Sequence, residues 1–290
     1  MGKEPPRDSE SWARGYPRAA LVATQPKLLR LRGYPKVSGV LPVALDRATK
    51  LIGVISHSSK EYVALAQLHS PVPRERLEEV VKEFTGRIYQ KPPVRSSVKR
   101  VLRIKEVYKI EILEYEGTFA LMRVDCQHGT YVRKLIHDIG EVLGVGAHMR
   151  ELRRIRTGPF REDTSIRMHE LSEAVYLYRE EGREDMLRRA ILPQEYIVSH
   201  LPKVVVFDGA AAAITYGADL AVPGISLLSE GIRRGELVAV FTLKGELVAL
   251  AEALMSTEEI LASSKGMAFK TKRVILERGV YPKTWKKKEA

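Results

Sequence analysis

Apolar and polar positions change period several times along this chain, and each change marks an element. Residues 60 to 69 alternate, with Tyr62, Ala64, Ala66 and Leu68 on one side, which predicts a half-buried strand. Residues 71 to 85 switch to helical spacing. Pro73 suits the first turn, Leu77, Val80, Val81 and Phe84 form the stripe, and Gly86 stops the helix. Residues 105 to 116 and 117 to 126 predict two further strands joined near Gly117, the second containing Phe119, Leu121 and Val124. Gly129 then supplies a turn, and the Thr130 hydroxyl is expected to cap a helix beginning at Tyr131. That helix buries Val132, Leu135, Ile136 and Ile139 as one stripe. Another helix is expected over 168 to 179. The charged run 180 to 189 is helical in part, with a break at Gly182.

The texture changes near residue 200. Val204 to Val206 reads as a strand, residues 210 to 216 as a small helix stopped by Gly217, and 236 to 242 with 246 to 251 as a hairpin turning at Leu243-Lys244-Gly245. A last strand is expected over 267 to 274. The second domain is therefore compact and mostly β. Residues 1 to 33 show little periodicity, and the Lys286-Lys287-Lys288 tail reads as a solvated end.

Composition narrows the partners. The chain has 290 residues and a formal net charge of +12, which favours an anionic partner such as a nucleic acid. A single cysteine, Cys126, excludes an intrachain disulfide and a cysteine-rich zinc site. The seven histidines lack metal-ligand spacing, so they suggest no metal site. No apolar run approaches the ~18 residues of a membrane span, and the N-terminus does not resemble a secretory signal. A cytoplasmic protein without membrane association is the expectation.

The positive charge is clustered. Residues 71 to 109 carry eleven Lys and Arg against five Glu, with the excess after the helix: Arg87, Lys91, Arg95, Lys99, Arg100, Arg103, Lys105 and Lys109. Spaced cations on an extended segment suit a phosphate backbone, and Tyr89 and Tyr108 stand ready to stack on bases. Arg150, Arg153, Arg154 and Arg156 form a second cluster. Arg133 stands apart in the first turn of its helix, where the helix dipole disfavours a cation; spacing alone reads it either as a solvated surface arginine or as one with an anionic partner.

Five ordered segments carry a family resemblance. They are residues 35 to 45 with Ala48-Thr49-Lys50; Lys60-Glu61-Tyr62; Gln90-Lys91-Pro92-Pro93 with Ser96-Ser97-Val98-Lys99; Gly129-Thr130-Tyr131-Val132-Arg133; and residues 152 to 160. Together they resemble the RNA pseudouridine synthases of the TruB and dyskerin group, in wording closer to the archaeal and eukaryotic branch. Gly217-Ala218-Asp219-Leu220 and Val222-Pro223-Gly224-Ile225 resemble a PUA domain. The resemblance implies an α+β fold with a mixed, mostly antiparallel sheet and helices, then a small β-rich domain. It assigns 35–200 to the catalytic domain, 201–278 to the PUA domain and 279–290 to a basic tail, and leaves 1–34 unmatched.

It also implies a reaction, one with no redox step, metal or organic cofactor. Uridine in structured RNA loses its bond from ribose to base nitrogen and regains one from ribose to base carbon, after the base is flipped into a pocket. The tRNA TΨC-loop uridine is the expected target, and rRNA sites reached through H/ACA guide RNA and small ribonucleoprotein partners are a further one. The family's site holds an aspartate nucleophile, a tyrosine against the flipped base and an arginine paired with the aspartate. Tyr62 and Arg133 match the last two. Lys60, Lys91, Arg95, Lys99, Arg100, Arg150, Arg153 and Arg154 are the expected RNA contacts.

The aspartate is not matched. Its position, directly before Pro35, holds Tyr34, and a phenol of reference pKa ~10 is a poor substitute at neutral pH. Asp46, Asp125 and Asp138 do not stand where they could replace it. One reading is an RNA-binding or assembly protein that has lost the chemistry. The other is that residues 1 to 34 derive from a shifted reading frame or start site. The abrupt onset of resemblance at Pro35 favours the second.

Overall fold

A computed structural model of the chain describes residues 19–25, 37–92, 99 and 101–282. The expectations placed on Tyr34, Arg95, Arg100 and the C-terminal lysines lie outside these residues. The chain divides into two compact units, one of Ala20–Ala44 and Ile52–Leu192, the other of Leu45–Leu51 and Pro193 onward.

The first unit is built on β1 (Ala19–Gln25), β2 (Val37–Ala44), β3 (Lys60–Leu68), β4 (Gly86–Gln90), β5 (Arg103–Glu116), β6 (Phe119–Cys126), β7 (Ala147–Thr157), β8 (Phe160–Arg161) and β9 (Ile191–Pro193). Among the described residues these form one sheet in the order β4-β5-β6-β3-β7-β2-β1-β9, with β8 beside β7. The β2–β7 pair is parallel, whereas β1–β2, β3–β6, β3–β7, β4–β5, β5–β6 and β7–β8 are antiparallel. The sheet is thus mixed and mostly antiparallel, as expected. Its helices are α1 (Ile52–His57), α2 (Arg74–Glu83), α3 (Val132–Leu143), α4 (Met168–Glu181) and α5 (Asp185–Ala190).

One core joins the sheet to α2 and α3. It takes Ala64, Ala66 and Leu68 from β3, Leu77, Val80 and Val81 from α2, and Val132, Leu135, Ile136 and Ile139 from α3. These are the stripes that the periodicities mark. On β6 the buried set is Ala120, Met122, Val124 and Cys126, so Phe119 faces the other way and is exposed.

Two strands depart from expectation. Residues 147 to 157, read as a basic cluster, form β7, which lies between β3 and β2 near the centre of the sheet. Its apolar residues Met149, Leu152 and Ile155 recur at every third position, because the pairing with β3 shifts register twice along this strand and so breaks the period of two. Residues 1 to 33, with little periodicity, offer no expected partner for the edge of β2. Instead β1 pairs with it, from Ala20 opposite Ala44 to Gln25 opposite Gly39. Gly39 pairs with Arg154 where β2 runs beside β7. Its φ is +108°, and a Cβ there would stand 2.1 Å from the Arg154 carbonyl oxygen, which no side chain accommodates.

The second unit holds β10 (Lys203–Val206), β11 (Leu220–Ala221), β12 (Ile225–Leu228), β13 (Leu237–Thr242), β14 (Leu247–Ala253) and β15 (Met267–Val274), with α6 (Asp208–Thr215) and α7 (Thr257–Leu261). Among the described residues its sheet runs β11-β15-β14-β13-β10-β12. The β13–β14 hairpin turns at Gly245, as the spacing predicts. Residues 193 to 201 join this unit, because Ile197 and Val198 are buried and Glu195 accepts a hydrogen bond from the Leu247 N–H at 3.3 Å.

Candidate active site

The site lies at one corner of the first unit, where β3 begins and β6 and β7 end. Lys60 is paired with Cys126 on one side and Thr157 on the other. Two residues along, Tyr62 lies between Val124 and Arg154. It shares the face of Ala64, Ala66 and Leu68 and packs half-buried against the core. Burial raises the phenol's pKa above its ordinary value, although the adjacent Arg154 guanidinium pulls the other way and hydrogen-bonds it. Tyr62 therefore presents a neutral hydroxyl throughout the physiological range. Arg154 is itself fixed, since its Nε donates to the Val40 carbonyl at 2.8 Å.

From β6 the chain turns through residues 127 to 131 into α3. Gly129 takes φ +74° in this turn. The expected Thr130 cap is not formed. Its hydroxyl donates back to the Gln127 carbonyl at 2.8 Å, closing the turn instead, and Tyr131 is the N-cap without a side-chain bond. The Tyr131 peptide is held from outside the helix. Its N–H donates to Gln90 Oε1 at 3.0 Å, and its carbonyl accepts from Gln90 Nε2 at 3.2 Å. Lys105 Nζ donates to the His128 carbonyl at 2.8 Å, fastening the turn to β5.

Arg133 follows in the first turn of α3. It is exposed, and its side chain has no ion pair or hydrogen bond among the described residues. No acidic residue occupies that turn. A cation here opposes the helix dipole and has no internal compensation, which leaves it available to an external or missing carboxylate.

The nearby carboxylates are already engaged. Arg156 donates from Nε to Glu61 Oε2 at 3.1 Å, from Nη1 to Ser59 Oγ at 3.0 Å and from Nη2 to Asp125 Oδ1 at 2.8 Å. Asp138 is paired with Lys134 within α3. Asp46 belongs to the other unit, where it opens the short 3-10 segment Asp46–Leu51 with φ +46° and is exposed. Cys126 is buried, and burial pushes its thiol up to about 11, so it is no thiolate nucleophile.

The expected RNA contacts divide into two groups. Lys91, Lys99 and Arg150 are exposed, with side chains that make no ion pair or hydrogen bond among the described residues. Tyr89 and Tyr108 are exposed as well. The rest have internal partners. Arg153 Nε donates to Glu162 at 3.0 Å, and Arg154 is spent on Val40 and Tyr62. Lys60 turns back to donate to the carbonyls of Ser58 at 2.8 Å, Ser56 at 3.0 Å and Ile55 at 3.4 Å, covering the end of α1. Sequence reasoning missed Gln90 and Arg156 as builders of this corner. Gln90 stands within one of the five motif segments, but only the fold shows what its amide holds.

Among the described residues no group of three or more His, Cys, Asp or Glu could hold a metal ion, and no helix is long and apolar enough to cross a membrane.

Comparison with known proteins extends this picture over most of the chain. Residues 34–132 match the TruB family pseudouridylate synthase N-terminal domain, 133–199 the tRNA pseudouridylate synthase B C-terminal domain, and 202–275 the PUA domain. A probable tRNA pseudouridine synthase B from Methanosarcina barkeri is 53% identical over 255 residues, covering 88% of this chain and 75% of the relative. One from Pyrococcus furiosus is 54% identical over 256 residues, with the same coverage. Among solved structures, a chain of a Cbf5-Nop10-Gar1 complex superposes with a TM-score of 0.84 at 49% identity, covering 91% of this chain and 87% of the other. A chain of an H/ACA RNP bound to a substrate RNA containing 2′-deoxyuridine gives 0.82 at 47% identity, covering 92% and 88%. Both halves of the first unit and the β-rich second unit are thus accounted for by one lineage, and the chain belongs to the TruB family of pseudouridylate synthases.

Proposed function

We propose that this chain isomerises uridine to pseudouridine in tRNA, at the TΨC-loop position, and that it also serves guide-directed rRNA sites with H/ACA guide RNA and small protein partners in the cytoplasm. The ribose C1′–N1 bond breaks, a C1′–C5 bond forms, and the proton lost from C5 is balanced by one gained at N1. No redox equivalent is consumed. The observation that carries the site assignment is Arg133, exposed at the start of α3 and without an internal partner among the described residues. It is suited to hold a catalytic carboxylate beside a flipped base, with Tyr62 as the neutral aromatic against that base. Lys91, Lys99 and Arg150 are suited to the RNA backbone.

The test is a tRNA transcript incubated without guide RNA and read for pseudouridine at each uridine. Conversion supports stand-alone action on tRNA, and conversion only on addition of guide RNA and its proteins removes it. Arg133→Ala is expected to abolish conversion with RNA affinity retained, and unchanged turnover would remove Arg133 from the site. Tyr34 favours a second reading, RNA binding without chemistry. Tight RNA binding with no pseudouridine from protein verified to carry Tyr34 would establish it.

A further inference from the structure

We propose that Gln90 is a positioning residue for Arg133, setting the start of α3 through the Tyr131 peptide. The inference rests on the functional reading above and names a further part of that site. Gln90 ends β4 between Tyr89 and Lys91, both exposed, yet it is itself only 2% exposed. A buried amide is costly unless both its ends are bonded. Here both ends go to one peptide unit, 41 residues away: Oε1 takes the Tyr131 N–H and Nε2 gives to the Tyr131 carbonyl. A primary amide is suited to this, since it donates and accepts in one plane.

The location gives the clamp its consequence. Tyr131 is the N-cap of α3, and its N–H is among the donors that a helix start leaves unmatched. Neither Tyr131 nor Thr130 caps the helix with a side chain. Arg133 comes two residues later and has no side-chain bond among the described residues, so its direction follows the backbone that carries it. Lys105 and the Gln127–Glu106 backbone bond at 2.8 Å hold the preceding turn, while Gln90 holds the helix start itself. Beyond Gln90 the chain runs directly into Lys91, an exposed cation of the basic segment. One side chain therefore links the strand that leads to the RNA-facing segment with the helix that carries the arginine.

The experiment uses the full chain with Tyr34→Asp and a tRNA transcript under single-turnover conditions. Gln90→Ala is expected to slow conversion about tenfold, the worth of roughly one well-made pair of hydrogen bonds, with RNA affinity changed less than about twofold. Gln90→Glu keeps an acceptor and loses the donor, and is expected to fall between the two. Combined with Arg133→Lys, Gln90→Ala should add less than about twofold, because the two act through one group. Multiplying effects, or affinity falling in step with rate, would overturn the proposal. Hydrogen exchange on the chain with Tyr34 intact supplies a readout that needs no turnover. Gln90→Ala should speed exchange over residues 127 to 137 and leave β3 unchanged. Unchanged exchange there would show that the amide does not set the helix start. If Tyr34→Asp converts no uridine with Gln90 present, the functional reading fails and Gln90 loses its catalytic purpose. The exchange result tells that failure apart from failure of the clamp.

Discussion

Arg156 and Asp125 face one another across an intervening strand, with Nη2 and Oδ1 2.8 Å apart. Glu61 on β3 is in register with both, so the three side chains form one row over β7, β3 and β6. All three retain partial contact with solvent. Arg156→Met is expected to cost about 2–4 kcal/mol at neutral pH, because it leaves two half-buried carboxylates side by side. Burial, followed by Glu61, already raises the Asp125 pKa against the pull of Arg156. A carboxylate whose folded pKa is raised contributes stability at low pH that is lost as pH rises through that pKa. The variant should therefore recover part of its loss between pH 7 and pH 5, more than the parent gains. Urea unfolding at both pH values reads this directly.

Lys60 gives a pH dependence of the opposite kind. Burial, and then the Arg154 charge, bring its ammonium down from 10.5 to about 8. Between these values the unfolded chain holds a proton that the folded chain has released, so stability rises with pH across the window from about 8 to 10.5 and is lost as pH falls through it. Lys60→Met should flatten that rise. Equal slopes in parent and variant over this range would contradict the assignment.

Salt dependence separates the free cations from the engaged ones. Removing a cation that neutralises one phosphate should reduce the slope of log affinity against log salt by about 0.7–0.9. Lys91→Ala and Arg150→Ala are expected to approach this value. Arg153→Ala should change the slope less, because Arg153 must first leave Glu162. Titration of tRNA binding at several salt concentrations orders the three.

Position 34 offers a direct test of the proposed chemistry. Tyr34→Asp is expected to raise uridine conversion by at least about 100-fold, a modest demand on a nucleophile given the size of enzymatic accelerations. Addition of Arg133→Ala should cancel the gain. Sequencing of the gene upstream of the Pro35 codon is the companion measurement. An alternative frame reading Gly-Thr-Leu-Asp there would place the natural carboxylate.

Where burial is one-sided, the fold was legible from residue order. The stripes of α2 and α3 and the face of β3 are marked by period alone, because each packs on one side only. β7 was hidden because two register shifts break its period and because β2, β3 and β6 supply acceptors to Arg154 and Arg156, so a central strand carries the composition of a surface. Motif order singled out Tyr62 and Arg133, and the fold puts the first at the start of β3 and the second in the first turn of α3. Gln90 was not legible, since a clamp spanning 41 residues leaves no mark in local spacing. Lys60 and Arg154 look like surface cations in sequence, and only the carbonyls facing them reveal their inward direction.

Cys126, the chain's one cysteine, ends β6 opposite Lys60, two pairings from Tyr62. It is fully buried and its thiol is held up to about 11. A thiol in that state reacts only when the corner opens. The protein thus carries a native reporter of breathing at its own candidate site, readable by thiol labelling with no residue altered.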